Sequence, residues 1–191
     1  GVTVRESRVL WIPASEAVVV VLNRLISESV RPSRLPRFAL EQGIPPEERV
    51  LVVIPAMLNH ATTVAQLAHR LHQHYLANQE PHAQFALLTD WPDADQPSLP
   101  GDAALLQATR DALAQLNQRH PAAPGAPHRF ILLHRTRSHS ATQQCWIGWE
   151  RKRGKLEQLL AALATGTPGP FLDLGADSQL APHTRHLLTL E

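Results

Sequence analysis

Two short stretches of the sequence hold residue types that could do chemistry: a trio of carboxylates after an apolar run, and four cations at the start of a helical pattern. In LLTDWPDAD, Leu87 to Asp95, Asp90 falls at the end of what reads as a buried strand. A carboxylate placed there can accept hydrogen bonds from a nucleoside base or ribose. Asp93 and Asp95 form a pair that could grip a divalent cation through hard oxygen ligands. Set beside Pro92 and Pro97 they equally suit turns, which favour Asp for its local backbone hydrogen bonds. In GWERKRGKLEQLLAAL, Gly148 to Leu163, the cations Arg151, Lys152, Arg153 and Lys155 crowd the end of a helix whose dipole is already positive, where Asp or Glu is usual. Free N–H groups at that helix start, with Gly154 keeping the backbone accessible and Arg153 and Lys155 converging, suit a phosphate or diphosphate. The other reading is a solvated charged face balanced by Glu150 and Glu157.

Other chemistries lack their residue patterns. The chain has eleven histidines, but of His69, His72 and His74 only the first two share a helix face, and no HExxH occurs, so no histidine metal site is expected. GxGxxG, Walker A and GxSxG are absent, which removes the usual fingerprints of nicotinamide, ATPase and serine hydrolase function. The single cysteine, Cys145, rules out an internal disulfide framework and is expected to pack as a small hydrophobe. With 18 Lys and Arg against 17 Asp and Glu, the net charge of +1 provides no overall field for nucleic acid, and any basic site must be local.

These residues need elements to position them. Around Val9 to Ile26 a helix is expected whose apolar surface spreads beyond one stripe, with Val18, Val21, Leu22 and Leu25 in line. Ser15, Glu16, Asn23 and Arg24 interrupt it, so no uninterrupted membrane span of about 18 residues occurs. A proline-rich connector, Arg31 to Glu48, follows. Strands are expected near Val50–Ile54, Gln84–Asp90, Arg129–His134 and His186–Leu190. Between them fall a helix from Ala61 to Ala77, a helix N-capped by Asp102 with Leu105, Thr109, Leu113 and Leu116 buried, and the basic helix with Leu156, Leu159, Leu160 and Leu163 as its stripe. This alternation predicts an α/β fold, a three-layer sandwich with a mostly parallel, Rossmann-like sheet preceded by an N-terminal helix. The expected division is 1–34 for the helix and connector and 35–191 for the α/β part. Ligands of such sheets bind beyond the carboxyl ends of the strands, which singles out Pro55 to His60, Asp90 to Asp95, and His134 through Lys155.

Taken together, RVLVVIPAML, HYLANQEPHAQFALLTDWPDAD, PGDAALL, RFILLHRTR and GWERKRGKLEQLL resemble, in order and spacing from about Leu35 to Leu163, the glycosyltransferase region of bacterial cyclic β-1,2-glucan synthases. The resemblance implies the nucleotide-binding half of a GT-A-type, inverting transferase that moves glucose from UDP-glucose to a growing β-1,2-glucan. On that pattern Pro55, Asp90, Arg153, Gly154 and Lys155 bind the nucleotide sugar, Asp90 at the uridine and the RGK of 153–155 near the diphosphate. A divalent metal, Mg or Mn, is expected in the full-length enzyme, its Asp-Ala-Asp ligands and the catalytic base lying outside this chain. The partners implied are the nucleotide sugar, the glucan acceptor and the remaining domains of a larger protein at the cytosolic face of the bacterial inner membrane. The fragment itself is expected to be soluble and inactive. Leu160 stands where the family usually has Asn. The competing expectation is a non-catalytic α/β interaction or positioning module within that larger protein.

Overall fold

Residues 18–24, 43–167 and 169–190 are described by the computed structural model. The chain divides into two compact units, Gly1–Ala39 and Leu40–Glu191. Of the first unit the structure describes α1, residues 18–24, whose Val18 to Leu22 are all exposed. The expectations for Val9 to Ala17, for Leu25 and Ile26, for most of the connector and for the boundary at 34 lie outside the described residues. No helix among the described residues is long and apolar enough to cross a membrane.

In the second unit, unbroken apolar runs form strands with both faces covered, the pattern of a parallel sheet. These are β1 (Arg49–Met57), β2 (Ala83–Asp90) and β3 (Phe130–His134), joined through α2 (Ala61–Ala77) and α3 (Asp102–Arg119). A hairpin of β4 (Ser138–Ser140) and β5 (Cys145–Ile147) leads to α4 (Arg151–Thr165), and β6 (Thr184–Thr189) completes the sheet. The order is β3-β2-β1-β6, every pair parallel. The register sets Met57 beside Asp90 and Thr89 beside His134, so three strands end together at one pole.

The period of two sends alternate residues to opposite faces. Val52, Ile54, Phe85, Leu87, Phe130 and Leu132 pack with Val64, Leu67, Leu71 and Tyr75 of α2 and Leu113 and Leu116 of α3. Leu51, Val53, Ala86, Leu88, Ile131 and Leu133 pack with Leu159 and Ala162 of α4 and with Phe171. Each such fully buried side chain contributes about 1.5–3 kcal/mol of transfer free energy. The result is the expected three-layer, Rossmann-like sandwich, α2 and α3 on one face and α4 on the other.

Several local expectations need correction. β1 does not stop at Pro55 but continues to Met57. Val53 O accepts from Leu190 N, so Pro55, two residues on, faces the same side, past the last β1–β6 pair at Val53 and Thr189. Its missing N–H therefore costs no ladder bond. Asp102 is the first helical residue, not the N-cap, which is Gly101. Leu160 is half exposed and leaves the expected stripe, where Leu159 and Ala162 are the buried positions. β6 is an edge strand with Leu188 exposed, not a buried run. The β4–β5 hairpin was not expected; its strands are three residues each, too short for a periodic signal.

Candidate functional site

Asp90 ends a strand whose eight residues are all buried, and its own exposure is 1%. Its carboxylate is held from both sides: Arg135 Nη2 donates to Oδ2 at 2.9 Å and Lys155 Nζ to Oδ1 at 2.9 Å. Lys155 Nζ also donates to the carbonyl of Ala56 in β1 at 2.7 Å. Arg135, one residue past β3, reaches α4 as well, through Gln158 Oε1 at 2.7 Å and the Arg151 carbonyl at 3.3 Å. The ends of three strands and the first turns of α4 are thereby tied through one carboxylate. Two cations against one anion leave this buried cluster net positive. Burial pushes the Lys155 ammonium below its ordinary value, the Asp90 charge opposes that shift, and Arg135 and Arg151 add to it.

The cluster is roofed by the turn between β5 and α4. A Cβ on Gly148 would stand 2.8 Å from Asp90 Oδ2, so only glycine lets the backbone lie on the carboxylate. Glu150 and Arg151 then take positive φ, 43° and 31°, in successive non-glycine residues. Strain of this kind persists where the surroundings impose it, and is common where ligands are clamped. Gly154 is needed for packing: a Cβ there would meet the Trp149 carbonyl at 2.4 Å and its ring at 2.7 Å. The structure thus assigns its bareness to Trp149 rather than to an accessible backbone.

Arg153 and Lys155 do not converge. Two helical positions apart, they are turned by about 200°. Lys155 goes inward, whereas the Arg153 side chain is 77% exposed and pairs with Glu157 at 2.8 Å and Glu150 at 3.6 Å, the solvated-face arrangement. Arg151 pairs with Asp93 at 2.8 Å, so Arg151 and Lys155 find carboxylate partners on other elements while Arg153 finds its own within α4 and its cap. Asp93 and Asp95 are exposed on a loop that Ala94 docks onto β5 by two bonds with Trp146, 2.9 and 2.8 Å. Pro55 lies in β1 opposite Leu88, one residue before the Ala56 carbonyl that Lys155 uses.

Arg137 and His134 lie in the stretch His134 through Lys155 that the sequence singled out, but without a role of their own there. Arg137 is buried against Asp102, donates to the carbonyls of Pro92 and Pro97 at 2.6 and 3.3 Å, and stands over the Trp91 ring at 5.5 Å. It clamps the loop that follows Asp90. Burial of Asp102 alone would raise its pKa, but the bonds from Arg137 and the Leu99 N–H outweigh this and hold it below the usual carboxylate range. His134, fully buried, meets Thr89 Oγ1 through Nδ1 at 2.8 Å and packs edge-on with Trp91. Burial drives its pKa down to about 4 despite the charges of Asp90 and Asp102. The signal was RTR, Arg135 to Arg137: cations at i and i+2 past a buried strand must find carboxylates at the same sheet end.

Fold and site together define a Rossmann-like α/β unit with a buried, net-positive charge cluster at the carboxyl ends of its parallel strands. No family model matches the chain. Over 180 residues, 94% of its length, it is 36% identical to the cyclic beta-(1,2)-glucan synthase NdvB of Rhizobium meliloti (strain 1021), and it spans 6% of that protein. This match shows the resemblance to the cyclic β-1,2-glucan synthases.

Proposed function

We propose that this chain is the donor-side part of a glycosyltransferase of cyclic β-1,2-glucan synthesis, with UDP-glucose as the donor and the growing glucan as the acceptor. The observation that carries this reading is the position of Asp90. It stands at the carboxyl end of a parallel strand, where open α/β sheets bind nucleotides, against a lysine from a helix start. Asp90 offers the acceptor for a donating uracil edge, and Lys155 a cation for the diphosphate. Both are engaged with each other beneath Gly148, so binding requires the strained turn 148–151 to lift and the pair to exchange its partners for the ligand's. Arg153 lies off this path, on the outer side of α4, and Arg151 stands at its rim with Asp93.

A divalent metal, Mg or Mn, would stabilise the departing diphosphate when bound. The residues here do not fit one: among the described residues no three His, Cys, Asp or Glu side chains gather, and Asp93 is taken by Arg151. Its ligands are assigned outside this chain, at the cytosolic face of a membrane protein of which the chain is one part. The chain alone is accordingly expected to transfer no glucose.

A second reading, a non-catalytic module that positions other parts of a larger protein, draws on the edge of the sheet. Leu188 and Leu190 border a groove of about 410 Å³ with Val50, Val52 and Phe85. Calorimetric titration of UDP into the chain, and into a longer version carrying an Asp-Ala-Asp motif, tests the choice. Saturable binding with amide shifts at Asp90 and 148–155 supports the donor site. No binding by either protein supports the positioning module.

A further inference from the structure

The opposite pole of the sheet presents a separate puzzle. Arg49 opens β1, and His82 and Arg129 immediately precede β2 and β3. With eight residues in β2, this end lies about 25 Å from Asp90 at ~3.3 Å per residue. A cavity of about 130 Å³ is lined there by Arg49, His82, His128 and Arg129, together with Ala123 and Ala126. Five buried side-chain nitrogens among the described residues have no hydrogen-bond partner, and three of them belong to this lining: His82 Nδ1, His128 Nδ1 and Arg129 Nε. Buried polar atoms are nearly always paired, because leaving one unpaired forfeits the hydrogen bonds it made with water. Two of them, His82 Nδ1 and Arg129 Nε, have no acceptor beside them, and such a pair around one cavity indicates an occupant.

The neighbours do not supply a partner for His82 Nδ1 or Arg129 Nε. Arg129 is placed by its stack over Tyr75, 5.1 Å from the ring centre, and by a 3.4 Å bond to the Pro121 carbonyl, neither of which uses Nε. His128 Nδ1 is 3.4 Å from Asp177 Oδ1, the oxygen that Arg110 leaves free, so this ring has a carboxylate beside it when protonated. Glu80 accepts from the backbone N–H of His82 at 3.4 Å, not from its ring. Among the described residues no carboxylate forms an ion pair with Arg49 or Arg129. The volume is about four times the ~30 Å³ share of a liquid water, room for a small tetrahedral ion. Two guanidinium groups and two imidazoles are all donors toward an anion, and a group with three or four acceptor oxygens can use them together.

We propose that this cavity at the amino ends of β1, β2 and β3 binds a phosphate-type oxyanion, held by Arg49, His82, His128 and Arg129. It is independent of the donor site at the other pole. The oxyanion is either a free ion or a phosphomonoester carried on a larger group, and the two share this recognition.

The test follows the ring nitrogens of His82 and His128 by NMR while inorganic phosphate, O-phosphoethanolamine or potassium chloride at matched ionic strength is added to the chain. Saturable shifts of both rings with a phosphate compound and not with chloride are expected. Tighter binding of the inorganic ion identifies a free ligand, and tighter binding of the ester a carried group. Arg49→Gln with His82→Gln is expected to weaken binding at least tenfold. Arg49→Gln alone, at the half-buried start of a strand, is expected to weaken it severalfold and serves if the double variant does not fold. Arg153→Ala, on the exposed side of α4, is expected to leave it unchanged. Absence of a phosphate-specific shift, or unaltered affinity in the folded variants, would mean that water fills the cavity and would overturn the proposal.

Discussion

Lys155 and Asp90, 65 positions apart in the chain, lie 2.9 Å apart with 3% and 1% of their side chains exposed. Such a pair offsets its own desolvation only while its hydrogen bonds are complete, and removing one partner costs about 3–5 kcal/mol. Asp90→Asn leaves Arg135 and Lys155 facing each other in the interior and is expected to destabilise by about that amount. At ~2–4 °C per kcal/mol for a unit of this size, the melting temperature should fall by about 10 °C. Adding Lys155→Met should recover part of the loss, because one of the two stranded charges disappears. Chemical denaturation of the two single variants and the double variant gives the coupling.

The buried His134 sets the acid limit. Its pKa is about 4 in the folded chain, lowered chiefly by burial, against 6.5 when unfolded. Between those values the unfolded chain holds the extra proton, so stability rises with pH. The contribution is complete above pH 6.5 and is lost as pH falls toward 4, of the order of 3 kcal/mol in total. His72, lowered by burial first and then by His120 and Arg119, adds a slope of the same sign. Urea midpoints at pH 4.5 and 7.5 should therefore differ less in His134→Gln than in the wild type, and equal differences would remove this role of His134.

Gly154→Ala sets two effects against each other. Alanine favours the helix by about 1 kcal/mol, while overpacking costs about 1–3 kcal/mol. The opposing atom is a backbone carbonyl at 2.4 Å, which cannot swing aside, so the second effect wins. The melting temperature is expected to fall, in contrast to the rise usual for this exchange in an open helix.

Arg137→Ala removes four bonds, to Pro92, Pro97 and both oxygens of Asp102, that gather residues 92–102, and leaves the Asp102 carboxylate buried and short of its cation. Cleavage within that loop under native conditions should accelerate by tenfold or more, while sites in the exposed loop at 141–144 keep their rate. Limited proteolysis read by mass spectrometry distinguishes the two.

The central layers were legible because every residue of β2 is buried and apolar runs of that kind have few other uses. The helix Ala61 to Ala77 was equally plain, since its buried Val64, Leu67, Leu71 and Tyr75 recur at helical spacing. Asp90 could be found as a carboxylate at a strand end. Its partners were harder. Arg135 and Arg137 look like surface cations until the register shows that Thr89 and His134 end side by side, which brings both arginines to the Asp90 pole. The same limit affected the helix start, where types alone suggested that Arg153 and Lys155 act together; the turn of the helix separates them. β6 misled in another way, since apolar composition does not reveal that a strand is the edge of its sheet.

In the proposed donor site Asp90 and Lys155 hold UDP and the exposed cations of α4 do not. The equilibrium Kd for UDP, measured on the wild type, Lys155→Met and Arg153→Ala with folding verified by near-ultraviolet circular dichroism, tests it most directly. Hydrogen bonds between charged groups are worth about 1.5–3 kcal/mol, so Lys155→Met is expected to weaken binding by tenfold or more. Arg153→Ala, which removes an exposed side chain engaged with Glu157, is expected to stay within twofold of the wild type. An unchanged Kd in folded Lys155→Met, or a larger loss in Arg153→Ala, would contradict the account.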